Sequence, residues 1–219
     1  MSSIKKTVNI KGKIYNKSSL SVDKTKTLII VDWDDTLYPT SWVVNNKIDL
    51  TSPITKLKYT KYYKTLDICL SSTLNHLKLY GDVLIITNAM TEWVELSLSV
   101  LPITKRVIED IPIVSARARY QDTQPMSEWK KLTFMDEISK RLNTKSYTNI
   151  LSLGDAEYEH NALVNLYKAK LINHKYLKSI KFIKSIDMAV LIEQLNIIQI
   201  SLKDICKSQR HMDLRFDKK

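Results

Sequence analysis

A short apolar run that breaks into acids constrains this chain more than any other feature. Leu28-Ile29-Ile30-Val31 is continuous, aliphatic and mostly β-branched, as expected of a strand buried on both faces. It leads directly into Asp32-Trp33-Asp34-Asp35-Thr36-Leu37. Three carboxylates at a buried strand end repel one another and lose hydration, which is unfavourable unless positive charge sits among them. A hard cation with oxygen ligands, Mg2+ above all, meets that need. Asp32 and Asp34 are two residues apart, so extended backbone turns both to one side. One such carboxylate can act as a nucleophile while the other donates a proton to a leaving group. The plainer alternative for an Asp-rich strand end is a turn or a helix cap.

The same plan recurs downstream. Residues 43–65 are polar with weak periodicity and read as a flap or short insertion. Leu66, Leu70, Leu74 and Leu77 then share one helical face, and Gly81 is placed to stop the helix. The strand 82–88 ends in Thr87 and Asn88. A helix follows, capped by Thr91, carrying Val94, Leu98 and Leu101 and closed by Pro102. Residues 111–117 read as a third strand and 118–127 as a loop. Ser127 is placed to cap a helix through Lys130, Lys131, Phe134 and Ile138, and the strand 148–155 ends in Gly154-Asp155. A helix with Glu159 and Leu163, a strand at 179–184 and a last helix through Leu191, Leu195, Ile198 and Leu202 complete the pattern. Strand–helix alternation predicts an α/β Rossmann-like three-layer sandwich with a mostly parallel, five-stranded sheet. Ligands in that architecture bind beyond the carboxyl ends of the strands. Three of the strands end there in polar groups: Asp32 and Asp34, Thr87 and Asn88, and Asp155.

At 219 residues with 44% hydrophobic content, the chain can bury one full core. The expected division is a basic N-terminal arm at 1–26, a catalytic domain at 27–206 and a polar, loose tail at 207–219. Within the arm, Val8 to Tyr15 could pair as a small hairpin around Gly12. The net charge of +11 favours acidic partners, whether a phosphorylated substrate, nucleic acid or an anionic membrane surface, or else serves solubility alone. Cys69 and Cys206 lie far apart among apolar helical residues and read as buried thiols in an intracellular, reducing setting, cytoplasmic or nuclear. No secretory signal and no transmembrane segment is apparent.

The order of these residues carries a resemblance. Asp32-x-Asp34-x-Thr36, a strand ending in Thr87, a Lys at a helix start and Gly154-Asp155-x-x-x-Glu159 together resemble the four motifs of the haloacid dehalogenase superfamily, in its phosphatase branch. The likeness covers residues 27 to about 200. The form Asp-Trp-Asp-Asp-Thr-Leu also resembles a little-characterised subgroup from protists and large DNA viruses. The resemblance implies that Asp32 attacks phosphorus and becomes an aspartyl-phosphate, and that Asp34 protonates the leaving oxygen and then activates water. It implies Mg2+ held by the Asp32 carboxylate, the Asp34 carbonyl and the Asp155 carboxylate, with Thr36, Thr87 and Asn88 beside the phosphoryl group. It implies a Lys that neutralises developing charge. Lys130 and Lys131 both qualify, and they point about 100° apart on a helix; Lys130 is preferred because it follows Trp129. The family commonly has Asp where this chain has Glu159, so Glu159 is expected to support the Lys or the site's periphery rather than to ligate the metal.

The intervals in which that family inserts cap domains hold only short loops and core helices here. A minimal or absent cap and an open site follow as expectations, and an open site suits bulky phosphate esters such as a phosphoprotein or a nucleic-acid end. Arg117 and Arg119, after the third strand, are placed to grip a second phosphate or to sit in solvent. Trp33 and Trp42, either side of the acidic loop, are candidates for stacking on a substrate, although aromatic residues at such positions more often fill the core. A scaffold or nucleic-acid-binding protein that keeps this fold without turnover is the alternative function.

Overall fold

The computed structural model describes residues 8–14, 26–170, 172, 175–185 and 187–218. Most of the expected basic arm, at 1–7 and 15–25, lies outside the described residues. The described chain forms a seven-stranded sheet in the order β1-β7-β6-β5-β2-β3-β4, with helices on both faces. The strands are β1 (Val8–Ile14), β2 (Thr27–Val31), β3 (Asp82–Thr87), β4 (Ile113–Ser115), β5 (Asn149–Gly154), β6 (Tyr176–Lys181) and β7 (Met212–Lys218). The five expected strands are present as β2 to β6 and run parallel.

The sheet departs from expectation at one edge. Residues 212–218 are not a loose tail; they continue the parallel sheet as β7, beside β6. Leu214 and Phe216 alternate with Asp213, Arg215 and Asp217 and are buried. That period of two selects a strand with one covered face. Residues 8–14 do not fold on themselves around Gly12. They form one uninterrupted strand, antiparallel to β7, with Gly12 opposite Leu214.

Alternate residues of the central strands feed two cores. Ile29, Val31, Val83, Ile85, Leu151 and Leu153 face α3 (Thr60–Tyr80), α4 (Thr91–Leu98), α5 (Pro102–Val107) and α9 (Met188–Lys207). Leu28, Ile30, Leu84, Ile86 and Ile150 face α7 (Met126–Leu142) and α8 (Glu157–Lys168). The insertion after β2 contains α1 (Thr40–Asn45) and α2 (Pro53–Lys58) and adds no separate domain. Residues 116–120 leave the third strand early and form α6 (Ala116–Tyr120), because Ser115 caps them by accepting from Ala118 N at 3.0 Å. Three further boundaries differ from expectation. Pro125 rather than Ser127 precedes α7, Met90 rather than Thr91 precedes α4, and Pro102 opens α5 rather than closing the helix before it. Proline is well suited to a first helical turn, where its missing N–H has no partner to lose. Gly81 ends α3 as expected, but in extended backbone; a Cβ there would lie 2.6 Å from Thr27 O, so the need is space.

One buried cation serves the fold and not the acidic loop. Lys178 on β6 is fully buried and donates to Asn149 Oδ1 at 2.7 Å and to the carbonyls of Ile205 at 2.6 Å and Cys206 at 3.3 Å. Those carbonyls belong to the last turn of α9, where helices leave acceptors unpaired. Loss of hydration lowers the ammonium from its ordinary 10.5 to about 8. Between those values the unfolded chain binds the proton that the folded chain has released, so stability contributed at this site rises with pH across that window. Relative to Lys178→Met, the wild type is expected to gain on the order of 1–3 kcal/mol between about pH 7.5 and about pH 10.5, measured by urea unfolding.

Candidate active site

The carboxyl end of β2 delivers Asp32 into a buried charge cluster. Its amide donates to Leu153 O on β5 at 2.9 Å, continuing the parallel ladder by one residue. Its carboxyl group is buried, with Oδ1 2.8 Å from Lys130 Nζ. Lys130 is only 3% exposed and also pairs with Glu159. The choice between the adjacent lysines follows from the pattern of α7. Lys130 shares the inward face with Phe134, Glu137 and Ile138, whereas Lys131 turns outward and pairs with Glu128 at 2.6 Å. Glu159 lies in the first turn of α8, on the buried face that continues as Ala162, Leu163 and Leu166.

Gly154 makes this arrangement possible. A Cβ at that position would overlap the side chain of Glu159. Gly154→Ala is expected to push Glu159 off Lys130 and to cost about 1–3 kcal/mol, read as a lowered midpoint in denaturant.

Asp34 is held from three sides. Trp93 Nε1 on α4 donates to its Oδ1 at 2.9 Å, and Thr40 Oγ1 donates to the same oxygen. Thr87 Oγ1, at the end of β3, reaches Oδ2 at 3.5 Å and accepts from Ala89 N at 2.9 Å. Trp93 and Thr40 were not expected at the site from the sequence. Their only signal is proximity in sequence to motifs: Thr40 opens the first helix after the acidic loop, and Trp93 the helix after Thr87. Asp35, the third acid of the loop, is a staple. It adopts φ 53°, a left-handed conformation that Asp tolerates, and it accepts from Ser41 N at 2.7 Å and Ser41 Oγ at 2.5 Å. Lys184 Nζ lies 3.7 Å from its Oδ2.

The charge balance among these groups is negative. Loss of hydration pushes the Asp32 carboxyl up, Lys130 pulls it back, and Glu159 and Asp155 push it up again, leaving it at about 8. Burial, then Glu159 and Asp35, push Asp155 up to about 6, against Lys130 and Lys184. The paired carboxylates keep Lys130 charged and its proton tightly held, despite burial. A single buried lysine therefore does not neutralise the carboxylates gathered around it, and Asp32 Oδ1 and Glu159 Oε2 are buried without an aligned hydrogen-bond donor. A divalent cation between Asp32 and Asp155 fits this donor set. Among the described residues no three His, Cys, Asp or Glu side chains gather as a metal site. A cation here would rest on the two carboxylates, as Mg2+ commonly does when water and substrate oxygens complete its shell.

The other expected residues divide. Thr36 is buried in the loop with Oγ1 unpartnered, and Asn88 is half-buried with Oδ1 unpartnered, beside Thr87. Arg117 is exposed on α6 and donates to Gln121 Oε1 at 3.2 Å, one helical turn away; none of its contacts is with the acidic cluster. Arg119 pairs with Glu137 at 2.8 Å and ties α6 to α7. Neither Trp33 nor Trp42 is available for stacking on a substrate. Trp33 is fully buried, stacked on Tyr38, with Nε1 donating to Ser97 Oγ at 3.1 Å. Trp42 is buried edge-on against Tyr59 and Tyr63.

No protein-family model matches the chain, and no curated protein matches it. Among solved structures, the chain is similar to a HAD family hydrolase from Deinococcus radiodurans R1, solved with bound phosphate and sodium. The likeness has 14% identity and a TM-score of 0.37, over 79% of this chain and 89% of that one. It is too remote to carry an argument about activity, which rests on the residues of this chain.

Proposed function

We infer that the chain is a phosphatase of the haloacid dehalogenase type, which transfers a phosphoryl group from a phosphate monoester to Asp32 and then to water. The observation that carries this reading is the buried ion pair of Asp32 with Lys130, formed where β2 ends, with Glu159 packed on the same lysine in the space that Gly154 leaves. A carboxylate kept at a buried strand end with a lysine beside it is placed to attack phosphorus. Lys130 would offset charge as it develops on the transferring group. Asp34, held by Trp93 and Thr40, would donate a proton to the leaving oxygen and later take one from the attacking water. Thr36, Thr87 and Asn88 would supply hydrogen bonds to phosphoryl oxygens, and Glu159 would hold Lys130 in place. Asp32, Asp155 and the Asp34 carbonyl would hold Mg2+, which when bound offsets the repulsion between nucleophile and phosphate.

The substrate class follows from what does not cover the site. Only α1 and α2 stand between β2 and α3, and only α6 and a short loop between β4 and α7. With no larger insertion there, the strand ends would admit a bulky ester, such as a phosphoprotein or a nucleic-acid end. Phosphate release from an aryl phosphate tests the reading. Turnover is expected with Mg2+, lost in chelator and restored when Mg2+ is returned. Turnover undiminished by chelator would overturn the metal requirement. Absence of release from aryl phosphates, phosphopeptides and phosphorylated oligonucleotide ends alike would overturn the phosphatase.

A further inference from the structure

The indole of Trp93 does something the motifs do not ask for. It is gripped on two sides by the acidic loop. Its ring meets Tyr38 edge-on, with centroids 6.0 Å apart, and Tyr38 is stacked on Trp33. Trp33 in turn donates to Ser97, one turn further along the same helix α4. The loop therefore fixes α4, and α4 returns an N–H to the loop at Asp34 Oδ1. Thr40 gives the same oxygen a second donor, while among the described residues Oδ2 has only the long contact from Thr87.

We propose that Trp93 is a positioning residue for Asp34: with Thr40 it fixes Oδ1 as the acceptor and leaves Oδ2 as the oxygen that carries and delivers the proton. This rests on the phosphatase reading above. In the step it serves, the bond from Asp32 to phosphorus forms as the ester P–O bond breaks, and the proton on Asp34 Oδ2 passes to the departing oxygen. A carboxyl group free to rotate would present the wrong oxygen, or the right one displaced, for part of the time.

The dependence on leaving group separates this role from a merely structural one. A departing alkoxide needs the proton; a nitrophenolate hardly does. Trp93→Phe keeps the ring against Tyr38 and removes only the N–H. Its ratio of kcat/KM on an aryl phosphate to kcat/KM on an alkyl phosphate, which reports the transfer step and not hydrolysis of the shared intermediate, is expected to rise about tenfold over wild type, because a general acid contributes about 10²–10⁴. Asp34→Asn should raise the ratio further. If Asp34→Asn raises the ratio and Trp93→Phe does not, the positioning role is wrong while the phosphatase stands. If Asp34→Asn does not raise it, the role given to Asp34 is wrong. The indole N–H resonance of Trp93 gives a reading independent of turnover. It should move in Asp34→Asn and stay in place in Lys140→Gln, an exposed change ten residues along α7 from Lys130; an unmoved resonance in Asp34→Asn would overturn the contact itself.

Discussion

Asp32→Asn is expected to lower phosphate release by about a thousandfold or more, as removal of a nucleophile does, and not to destabilise the protein. The second half of that expectation comes from the burial of Asp32. Its carboxyl is pushed up to about 8 because the charged form loses hydration and faces Glu159 and Asp155, so the fold bears a cost for keeping a carboxylate there. An amide of the same shape removes the charge and that cost. The unfolding midpoint of Asp32→Asn should equal or exceed that of the wild type in the same buffer, while activity is lost. A residue kept for packing would show the reverse, with activity following stability.

Removing the cation should do the opposite to the fold. Lys130→Met leaves Asp32 and Glu159 buried together without a counter-charge. Breaking a buried pair in this way costs about 3–5 kcal/mol. Activity should fall with it. The loss is not additive with removal of its partner. Lys130→Met combined with Glu159→Gln should recover part of the stability, because one of the two stranded charges is gone. Denaturant unfolding of both variants measures this. A double variant less stable than Lys130→Met alone would mean that Glu159 is held by something other than the lysine.

The strands and most of the site were legible from the sequence for a simple reason. β2, β3 and β5 are buried on both faces, so they appear as unbroken aliphatic runs, and the polar residues that end them stand out against those runs. Lys130 was legible as one of two lysines, and the inward face shared with Phe134 and Ile138 settles which one turns in. What escaped notice was set by tertiary pairing. β7 alternates Met212, Leu214 and Phe216 with charged residues, a strand pattern masked by its polar composition. β1 has its partner about two hundred residues away along the chain. Trp33 and Trp42 looked like rim residues from their positions beside the acidic loop, yet the loop folds them inward. Asp35 looked equivalent to Asp32 and Asp34, but its left-handed backbone turns it to Ser41. Trp93 is marked in the sequence only by its place in the helix after Thr87, because its bond to Asp34 depends on how α4 docks.

The central claim is that Asp32 itself takes the phosphoryl group, and acid quench followed by peptide mass mapping tests it most directly. Asp34→Asn, in which the intermediate should form from an aryl phosphate but hydrolyse slowly, is the protein to use. The account predicts one added phosphoryl group on the peptide containing Asp32, absent when Asp32 is also changed to Asn. Phosphate released by the wild type with no phosphoryl group on that peptide, or with one on a different residue, would contradict it.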